Sequence, residues 1–228
     1  DDGLQLVTGG VQPNGVNEGI PSRYAVSLLT HYATTKEDKA KIERAYMAAL
    51  KTSSNVEVKA YFMDNLKVVG SNESVNVLKE YINDAAMFDP ALSALVSVST
   101  GEAAKAIANA LNNNQDVAIQ VKLIKALGRY KYLPALETIS KFTSSENIML
   151  KRQALWSVAL MADANSLNVL LQQAKNVEFK NDPSEATNAL VEYLHQMMAK
   201  GNNQLVSQVS KALMDNTTEA VQQHFRLA

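Results

Sequence analysis

Apolar residues recur along the chain at a regular spacing that predicts a repeated pair of helices. One apolar position returns every 29 to 36 residues, at Leu78, Ile107, Leu136, Leu170 and Val206. Twelve residues before each of these stands another apolar residue, at Leu66, Leu95, Ile124, Val158 and Leu194. Apolar residues also lie three positions before and after every member of this second set, which is the spacing of one helix face. A period of this length is typical of stacked helical repeats, in which each unit buries its apolar face against its neighbours.

The pattern predicts five clear helix pairs and one divergent pair before them. The first helices of the clear pairs are expected at 55–69, 89–98, 116–129, 146–162 and 183–199. Their second helices are expected at 72–84, 102–112, 133–143, 165–176 and 203–214. The divergent pair is expected at 22–33 and 36–51. No segment alternates apolar and polar residues as a half-buried strand would, so the predicted fold is all-α.

Turn and cap residues support these bounds. Thr35-Lys-Glu-Asp38 is similar to a capping box, and both Asp89-Pro90 and Asp182-Pro183 predict an N-cap before a proline at the first helical position. Small residues four positions after the Leu66 set predict tight turns between paired helices, at Gly70, Ser99, Gly128 and Ala162. In the last pair we expect the turn at Gly201 instead.

The period, the small turn residues and the segment from Asp116 to Gly128 resemble HEAT repeats, as does the Leu133-Pro134 start of a second helix. The resemblance implies a right-handed α-α superhelix, a HEAT- or armadillo-like solenoid of about six helix pairs. We expect residues 1–228 to form a single α-solenoid domain. In it, 1–21 is the remnant of an earlier repeat and a loop, 22–214 holds the repeats, and 217–228 starts a further helix. We interpret the chain as a segment of a longer or processed protein.

Composition excludes several classes of function. The net charge is −1, from 22 basic and 23 acidic residues, whereas a protein that mainly binds nucleic acid needs a strong basic excess. We therefore expect no nucleic acid partner. Cysteine is absent, which excludes disulfides, thiolate catalysis and thiol metal ligands in this chain. No stretch approaches the roughly 18 uninterrupted apolar residues of a transmembrane segment.

Candidate chemistry is sparse. His31, His195 and His224 fall in separate repeats, and none is followed by the Glu that HEAT-like iron hydroxylases repeat beside their histidines. No phosphate-binding loop or Gly-x-Ser-x-Gly motif is present. Trp156 is flanked by apolar residues, and core packing is the preferred interpretation. We expect no catalytic residue, no cofactor and no catalytic metal, and hence a protein that is not an enzyme.

One set of polar residues recurs on the same face of successive second helices. Two residues after the Leu78 set run Glu80, Asn109, Thr138, Gln172 and Gln208, and five residues after it the later repeats carry Lys141, Lys175 and Lys211. Offsets of two and five share one helix face, so these residues form a polar row on the second helices. Such helices usually line the concave surface of a solenoid. The row therefore marks a candidate site for a protein or glycan partner, although any solvent-facing row must also be polar.

Several stretches resemble one family more specifically. They are Tyr24-Ala-Val-Ser27, Lys36-Glu-Asp38, Asp64-Asn-Leu-Lys-Val-Val-Gly70, Val77-Leu-Lys-Glu-Tyr81 and Ala126-Leu-Gly-Arg-Tyr-Lys-Tyr-Leu-Pro-Ala135. Together they are similar to the HEAT-like repeat region of exported Bacteroidetes proteins whose repeats precede a family 16 glycoside hydrolase-like domain, also called 3-keto-disaccharide hydrolase-like. The resemblance implies an exported protein, periplasmic or on the cell surface, that takes part in carbohydrate use. It implies no catalytic residue in this chain.

The leading interpretation is a non-catalytic repeat scaffold for protein or glycan interaction, attached to a carbohydrate-active domain. Two alternatives stay open. One is a HEAT-like enzyme such as a DNA glycosylase, which would need a basic groove with aromatic residues and a catalytic carboxylate. The other is a purely structural spacer, in which helix pairs about 8–10 Å apart would hold a catalytic domain away from the cell envelope.

Overall fold

The computed structural model describes residues 2–227 and shows only helices, turns and loops within that range. Four short 3-10 helices accompany the α-helices, at Asn17–Gly19, Leu133–Ala135, Phe142–Ser144 and Ala220–Gln222. The fourteen α-helices among these residues are α1 (Asp2–Gly9), α2 (Ile20–Tyr32), α3 (Lys36–Thr52), α4 (Val56–Val69), α5 (Asn72–Tyr81), α6 (Phe88–Val98), α7 (Gly101–Asn113), α8 (Val117–Tyr130), α9 (Leu136–Lys141), α10 (Ile148–Met161), α11 (Ser166–Asn176), α12 (Ala186–Ala199), α13 (Asn203–Asn216) and α14 (Gln223–Leu227). The predicted all-α fold is confirmed.

The chain divides into two compact units, the first ending at Ala110 and the second beginning at Leu111, within α7. In the first unit the first helices of successive pairs stack on one another: α2 packs on α4, and α4 packs on α6. The second helices stack likewise, with α3 packed on α5. In the second unit α8 packs on α10 and α10 on α12, while α12 also contacts α11 and α13. Each unit thus has the layered stacking of helical repeats.

The apolar columns supply the core of both units. Leu66, Leu78, Ile107, Ile124 and Leu170 were predicted to be buried and are fully buried. The prediction for Leu136 is wrong, because this side chain is only half-buried. The expected helix 133–143 is broken into 3-10, α and 3-10 segments around the six-residue α9, and Ile139 takes the fully buried position.

Of the three predicted N-cap residues, only Thr35 caps a helix in the structure. The Thr35 hydroxyl accepts a hydrogen bond from the Asp38 backbone N–H at 3.0 Å, as a cap should. Asp89 is not a cap, because α6 already begins at Phe88 after a turn held by the Asp84 carboxylate. Asp182 does not cap directly either: its carboxylate accepts from the N–H groups of Ser184 and Ala186, which closes a turn and delays the start of α12.

Helix ends show a similar mixture. Gly70, Ser99 and Ala162 lie at the C-caps of α4, α6 and α10, as expected, and Gly201 adopts a left-handed φ of 78° after α12. The prediction for Gly128 is wrong, because α8 continues to Tyr130. A Cβ atom at Gly128 would lie 2.5–2.8 Å from atoms of Ser157 on α10. This glycine therefore allows two stacked helices to approach closely.

The buried carboxylate of Glu43 links two repeats of the first unit, and the sequence pattern did not predict this contact. Glu43 of α3 is 2% exposed and accepts from the backbone N–H groups of Ser71 and Ser74, at 2.7 and 2.9 Å, and from the Ser71 hydroxyl. These donors belong to the start of α5, where unpaired N–H groups and the helix dipole favour a negative charge. A side chain from one repeat thus caps a helix of the next.

Both ends of the described chain are helical. Residues 2–19 contain α1 and a loop that ends in the 3-10 helix Asn17–Gly19, and α2 begins at Ile20. After α13 come the 3-10 helix Ala220–Gln222 and α14. Residues 1 and 228 lie outside the described part of the chain.

Truncating a leucine to alanine should cost more stability at a fully buried position than at the half-buried Leu136. Leu155 is fully buried on α10, which packs against both α8 and α12. We expect Leu155→Ala to lower the free energy of unfolding by about 2–5 kcal/mol, since the cavity opens between three helices. Leu136→Ala should cost clearly less. Urea denaturation followed by circular dichroism measures both, and equal losses would contradict the difference in packing.

Adding one methyl group at Gly128 should destabilise the second unit. The new Cβ would overlap Ser157, and we expect Gly128→Ala to cost about 1–3 kcal/mol despite the better helix propensity of alanine. Gly101→Ala is the matched control, because nothing lies within 4 Å of a Cβ there. The control should leave stability unchanged or raise it by up to about 1 kcal/mol. Thermal unfolding compares the two variants, and a stable Gly128→Ala protein would rule out the close helix contact.

Candidate functional site

The polar row predicted from the sequence lies on the second helices of the pairs, as expected. In the first unit Glu80 lies on α5 and Asn109 on α7, and both side chains are exposed. In the second unit the members of the row lie on α9, α11 and α13. Its exposed members there are Lys141, Gln172, Lys175, Gln208 and Lys211, and Thr138 is half-buried.

Two members of the row bond within their own helices. The Lys141 ammonium lies 3.4 Å from the Glu137 carboxylate one turn earlier, and the Gln172 amide donates to Asn176 at 2.8 Å. The polar contact that joins α11 to the preceding repeat comes from a neighbour outside the row, since the Gln173 amide donates to the Ser144 hydroxyl at 3.2 Å. The exposed members of the row remain accessible to a partner.

The second unit contains a concave cavity, and one member of the polar row lines it. A cavity of about 380 Å³ opens between the end of α11, the loop after it and the segment after α13. Its polar lining comes mainly from Lys175, Glu178, Lys180, Asn216, Glu219 and Gln222. We call this cavity the loop cleft. Its volume lies within the range of small-ligand sites.

The loop between α11 and α12 has an unusual backbone. Glu178, Phe179 and Glu185 all adopt left-handed φ values of 54–55°, although none is glycine. Each such residue costs on the order of 1–3 kcal/mol and persists only where its surroundings impose it. Sequence reasoning did not find this feature, because Glu and Phe carry no signal for a left-handed conformation.

Side chains from other elements hold the loop in this conformation. Buried Gln222 donates from Nε2 to the Glu178 carbonyl at 2.8 Å, and the Thr187 hydroxyl donates to the Lys180 carbonyl at 3.1 Å. Phe179 is 6% exposed and anchors the loop in the core. The cleft wall is therefore preorganised.

Trp156 fixes the far end of the same loop. Its indole Nε1–H donates to the Glu185 carboxylate at 2.7 Å, and the Arg152 guanidinium lies 3.6 Å from that carboxylate. The Trp156 side chain is half-buried, so the core position expected from its apolar neighbours is wrong. Its polar N–H reaches a partner at the surface, which is typical of tryptophan.

Charges at the loop cleft balance. The Lys180 ammonium lies 2.6 Å from the Glu178 carboxylate and 3.8 Å from that of Glu219. The hydrogen bond and the charge of Glu178 raise the pKa of Lys180, and the same bond lowers the pKa of Glu178. With Lys175, the cleft presents two positive and two negative side chains besides the Asn216 and Gln222 amides. It therefore suits a neutral, hydrogen-bonding ligand better than a phosphate.

The first unit has its own polar cavity, of about 480 Å³, around Arg23 of α2. The guanidinium lies over the Tyr61 ring, 4.5 Å from its centroid, pairs with Glu57 at 3.2 Å and donates to the Gln12 carbonyl at 2.8 Å. Burial raises the pKa of Tyr61, whose hydroxyl donates to the Arg23 carbonyl at 2.9 Å. These groups satisfy one another, so the contacts tie α2 to α4.

The three histidines do not converge. His31, His195 and His224 are each exposed. The His31 ring contacts that of Tyr32, the His195 ring lies 4.0 Å from the Glu192 carboxylate, and the His224 ring contacts that of Phe225. Among residues 2–227, no three His, Asp or Glu side chains are grouped in a way that could hold a metal ion. The absence of a catalytic metal remains a prediction. None of the described helices has both the length and the apolar character needed to cross a membrane.

Comparison with known proteins establishes the fold. No protein-family model matches the chain, and no curated protein sequence matches it. Among solved structures it is similar to Mini spindles TOG3 from Drosophila melanogaster, with 13% identity, a TM-score of 0.53, and coverage of 82% of this chain and 91% of that one. It also matches human deoxyhypusine hydroxylase in complex with glycerol, with 13% identity, a TM-score of 0.41, and coverage of 85% and 96%. The fold is a helical repeat of the HEAT type.

Proposed function

We propose that the chain is a non-catalytic repeat scaffold that binds a glycan or protein partner, with the loop cleft as its binding site. The observation that carries the proposal is the preorganised wall of this cleft. Two left-handed non-glycine residues of its lining, Glu178 and Phe179, are held by the Gln222 hydrogen bond and by the burial of Phe179, and Thr187 fixes the neighbouring Lys180 carbonyl. Strain of this kind is concentrated at ligand clamps and other functional sites, where a fixed shape lowers the entropy lost on binding.

The chemistry of the cleft favours hydroxyl- and amide-rich ligands. Amide side chains both donate and accept hydrogen bonds, and lysine donates only. Exposed Asn216 and Lys175 together offer acceptors and donors within one cavity. Sugar hydroxyls and peptide backbones carry both kinds of group. Because the charged lining sums to zero, binding should change little with salt, unlike the binding of nucleic acid.

The wider setting rests on the sequence resemblance given above. We propose that the chain belongs to an exported bacterial protein, periplasmic or on the cell surface, in which a sugar-acting domain accompanies the repeats. The exposed polar rows on the second helices would then provide additional contacts to the glycan or to a partner protein. The complete gene sequence tests this part, since a β-rich hydrolase-like domain beside the repeats supports it and any other neighbouring domain contradicts it.

The loop cleft can be tested by binding to defined polysaccharides. Affinity gel electrophoresis with laminarin, arabinoxylan and glucomannan should show retarded migration with at least one of them. The double variant Lys175→Ala, Asn216→Ala removes two polar groups of the cleft, and we expect about tenfold weaker binding, in line with the loss of two hydrogen bonds. Retardation should be similar at low and high salt.

A second double variant separates the cleft from the polar row. Gln208→Ala with Lys211→Ala removes exposed members of the row on α13 that do not line the cleft, and it should bind normally. Circular dichroism checks that both variants fold. If the α13 variant loses binding while the cleft variant keeps it, the site lies on the row instead. If the unmodified protein binds none of the three polysaccharides, the glycan proposal fails for them.

A further inference from the structure

Helix α2 in the first unit carries an unpartnered row of large apolar side chains. Ile20, Tyr24, Leu28 and Tyr32 follow one another at intervals of four residues, and their exposed fractions are 59%, 66%, 38% and 70%. Side chains four apart lie on one face of a helix, so the row runs for about 18 Å along α2. We call it the α2 row. Single exposed apolar residues are common, but a continuous row on one face marks an interaction surface.

The opposite face of α2 is firmly attached to the unit. Val26 is fully buried, and the Thr30 hydroxyl lies 2.8 Å from that of Tyr46 and donates to the Asn65 amide oxygen at 2.7 Å. The Tyr61 hydroxyl donates to the Arg23 carbonyl. The helix is therefore a fixed platform, and the exposure of its outer row does not arise from a loosely attached terminal helix.

The row continues into an apolar groove. Leu28 and Tyr32 also line a cavity of about 550 Å³ between α1, α2 and α3, together with Leu4, Val7, Leu29 and Ile42. Asp38 and Lys41 are the charged residues in its lining, one of each sign. A second α-helix lying along the α2 row would therefore place side chains in this groove, as in helix-in-groove recognition.

The exposed apolar area matches what a stable dimer requires. A large apolar side chain exposes roughly 200 Å² when free, so the exposed fractions of the four residues leave on the order of 450–500 Å². A standard interface buries about 800 Å² per partner, of which about 56–65% is apolar. The α2 row alone supplies this apolar share for each copy.

The order of side chains in the row makes it complementary to itself. Aliphatic and aromatic residues alternate, so an antiparallel second copy places Ile20 opposite Tyr32 of its partner and Tyr24 opposite Leu28. Each contact then joins a ring to an aliphatic side chain, whereas a parallel arrangement would place each residue type against its own kind. Rows with this spacing pack at a crossing angle of about 50°, with the central residues in closest contact.

Charge does not oppose such pairing. The basic side chains of α2 are Arg23, which pairs with Glu57, and His31, and α2 has no acidic side chain. On α3, which faces the groove, Lys41 pairs with Glu37 at 2.7 Å, and Asp38 accepts from the Thr35 hydroxyl. Two copies would therefore meet through a nearly neutral surface, without the repulsion that discourages self-association.

We propose that the α2 row is the interface of a two-fold symmetric homodimer, in which α2 of one copy packs antiparallel on α2 of the other. The symmetry axis passes between Tyr24 and Leu28. A closed two-fold contact uses the same patch on both copies, so dimerisation covers both rows and leads to no larger assembly.

Sedimentation equilibrium of the full chain tests the proposal. The unmodified protein should sediment at twice the monomer mass at micromolar concentrations. Tyr24→Glu places a carboxylate in the centre of the interface, and we expect the dimer dissociation constant to rise more than about tenfold. Val68→Glu is the matched control, because Val68 is 56% exposed on α4 of the same unit and lies outside the row. The control should dimerise normally, and thermal unfolding checks that both variants fold.

Cysteine pairing tests the antiparallel arrangement, since the natural chain has no cysteine. Tyr24→Cys and Leu28→Cys proteins, distinguished by tags of different length, are mixed and mildly oxidised. The mixed disulfide should exceed the sum of the two self-pairs, which random pairing in an equimolar mixture would make equal to it, because each introduced thiol faces the other position in the partner. Three results overturn the proposal: a monomer throughout the concentration range, equal dimerisation of the Tyr24→Glu and Val68→Glu variants, or a mixed disulfide that does not exceed the sum of the self-pairs.

Discussion

The fold depends on the burial of apolar side chains between successive first helices. A single helix pair cannot cover its own apolar face, and so Leu66 and Leu95 in the first unit, or Ile124, Val158 and Leu194 in the second, become buried only when repeats stack. Close stacking in turn needs small contacts, such as that of Gly128 with Ser157. The rest of the architecture, including the exposure of the second helices, follows from this layering.

Polar side chains then secure the places where stacking leaves backbone groups unpaired. Glu43 caps the start of α5 from a neighbouring repeat, and Gln222 and Thr187 satisfy carbonyls of the loop after α11. These bonds come from residues distant in sequence. In the loop they also help to maintain the left-handed Glu178 and Phe179, which gives the cleft a fixed wall. The same kind of contact thus stabilises the fold in one unit and shapes a candidate site in the other.

The candidate site was only partly predictable. Lys175 was identified from its place in a periodic polar row, because helical spacing fixes which residues share a face. The other walls of the cleft come from a loop and from the segment after α13, and neither follows the repeat period. These two segments lie close together because Phe179 and Gln222 are buried between them and the core. Such contacts cannot be predicted from a local sequence pattern. The exposed α2 row was missed for a related reason, since periodicity shows that a helix face is apolar but not whether another helix covers it.

The sequence by itself determined the class of fold, the order of the helix pairs and most of their bounds, because a 3.6-residue period and regularly spaced apolar columns are local properties. Tertiary structure decided the rest. Leu136 lies half-buried because the helix around it breaks, Asp89 lies inside α6, and Asp182 closes a turn before α12 rather than capping it. Trp156 reaches Glu185 at the surface instead of filling the core. The contact of Trp156 comes from another element and depends on distances that arise only when the helices pack. The turns at Asp84 and Asp182 are instead closed by local hydrogen bonds that compete with the predicted caps.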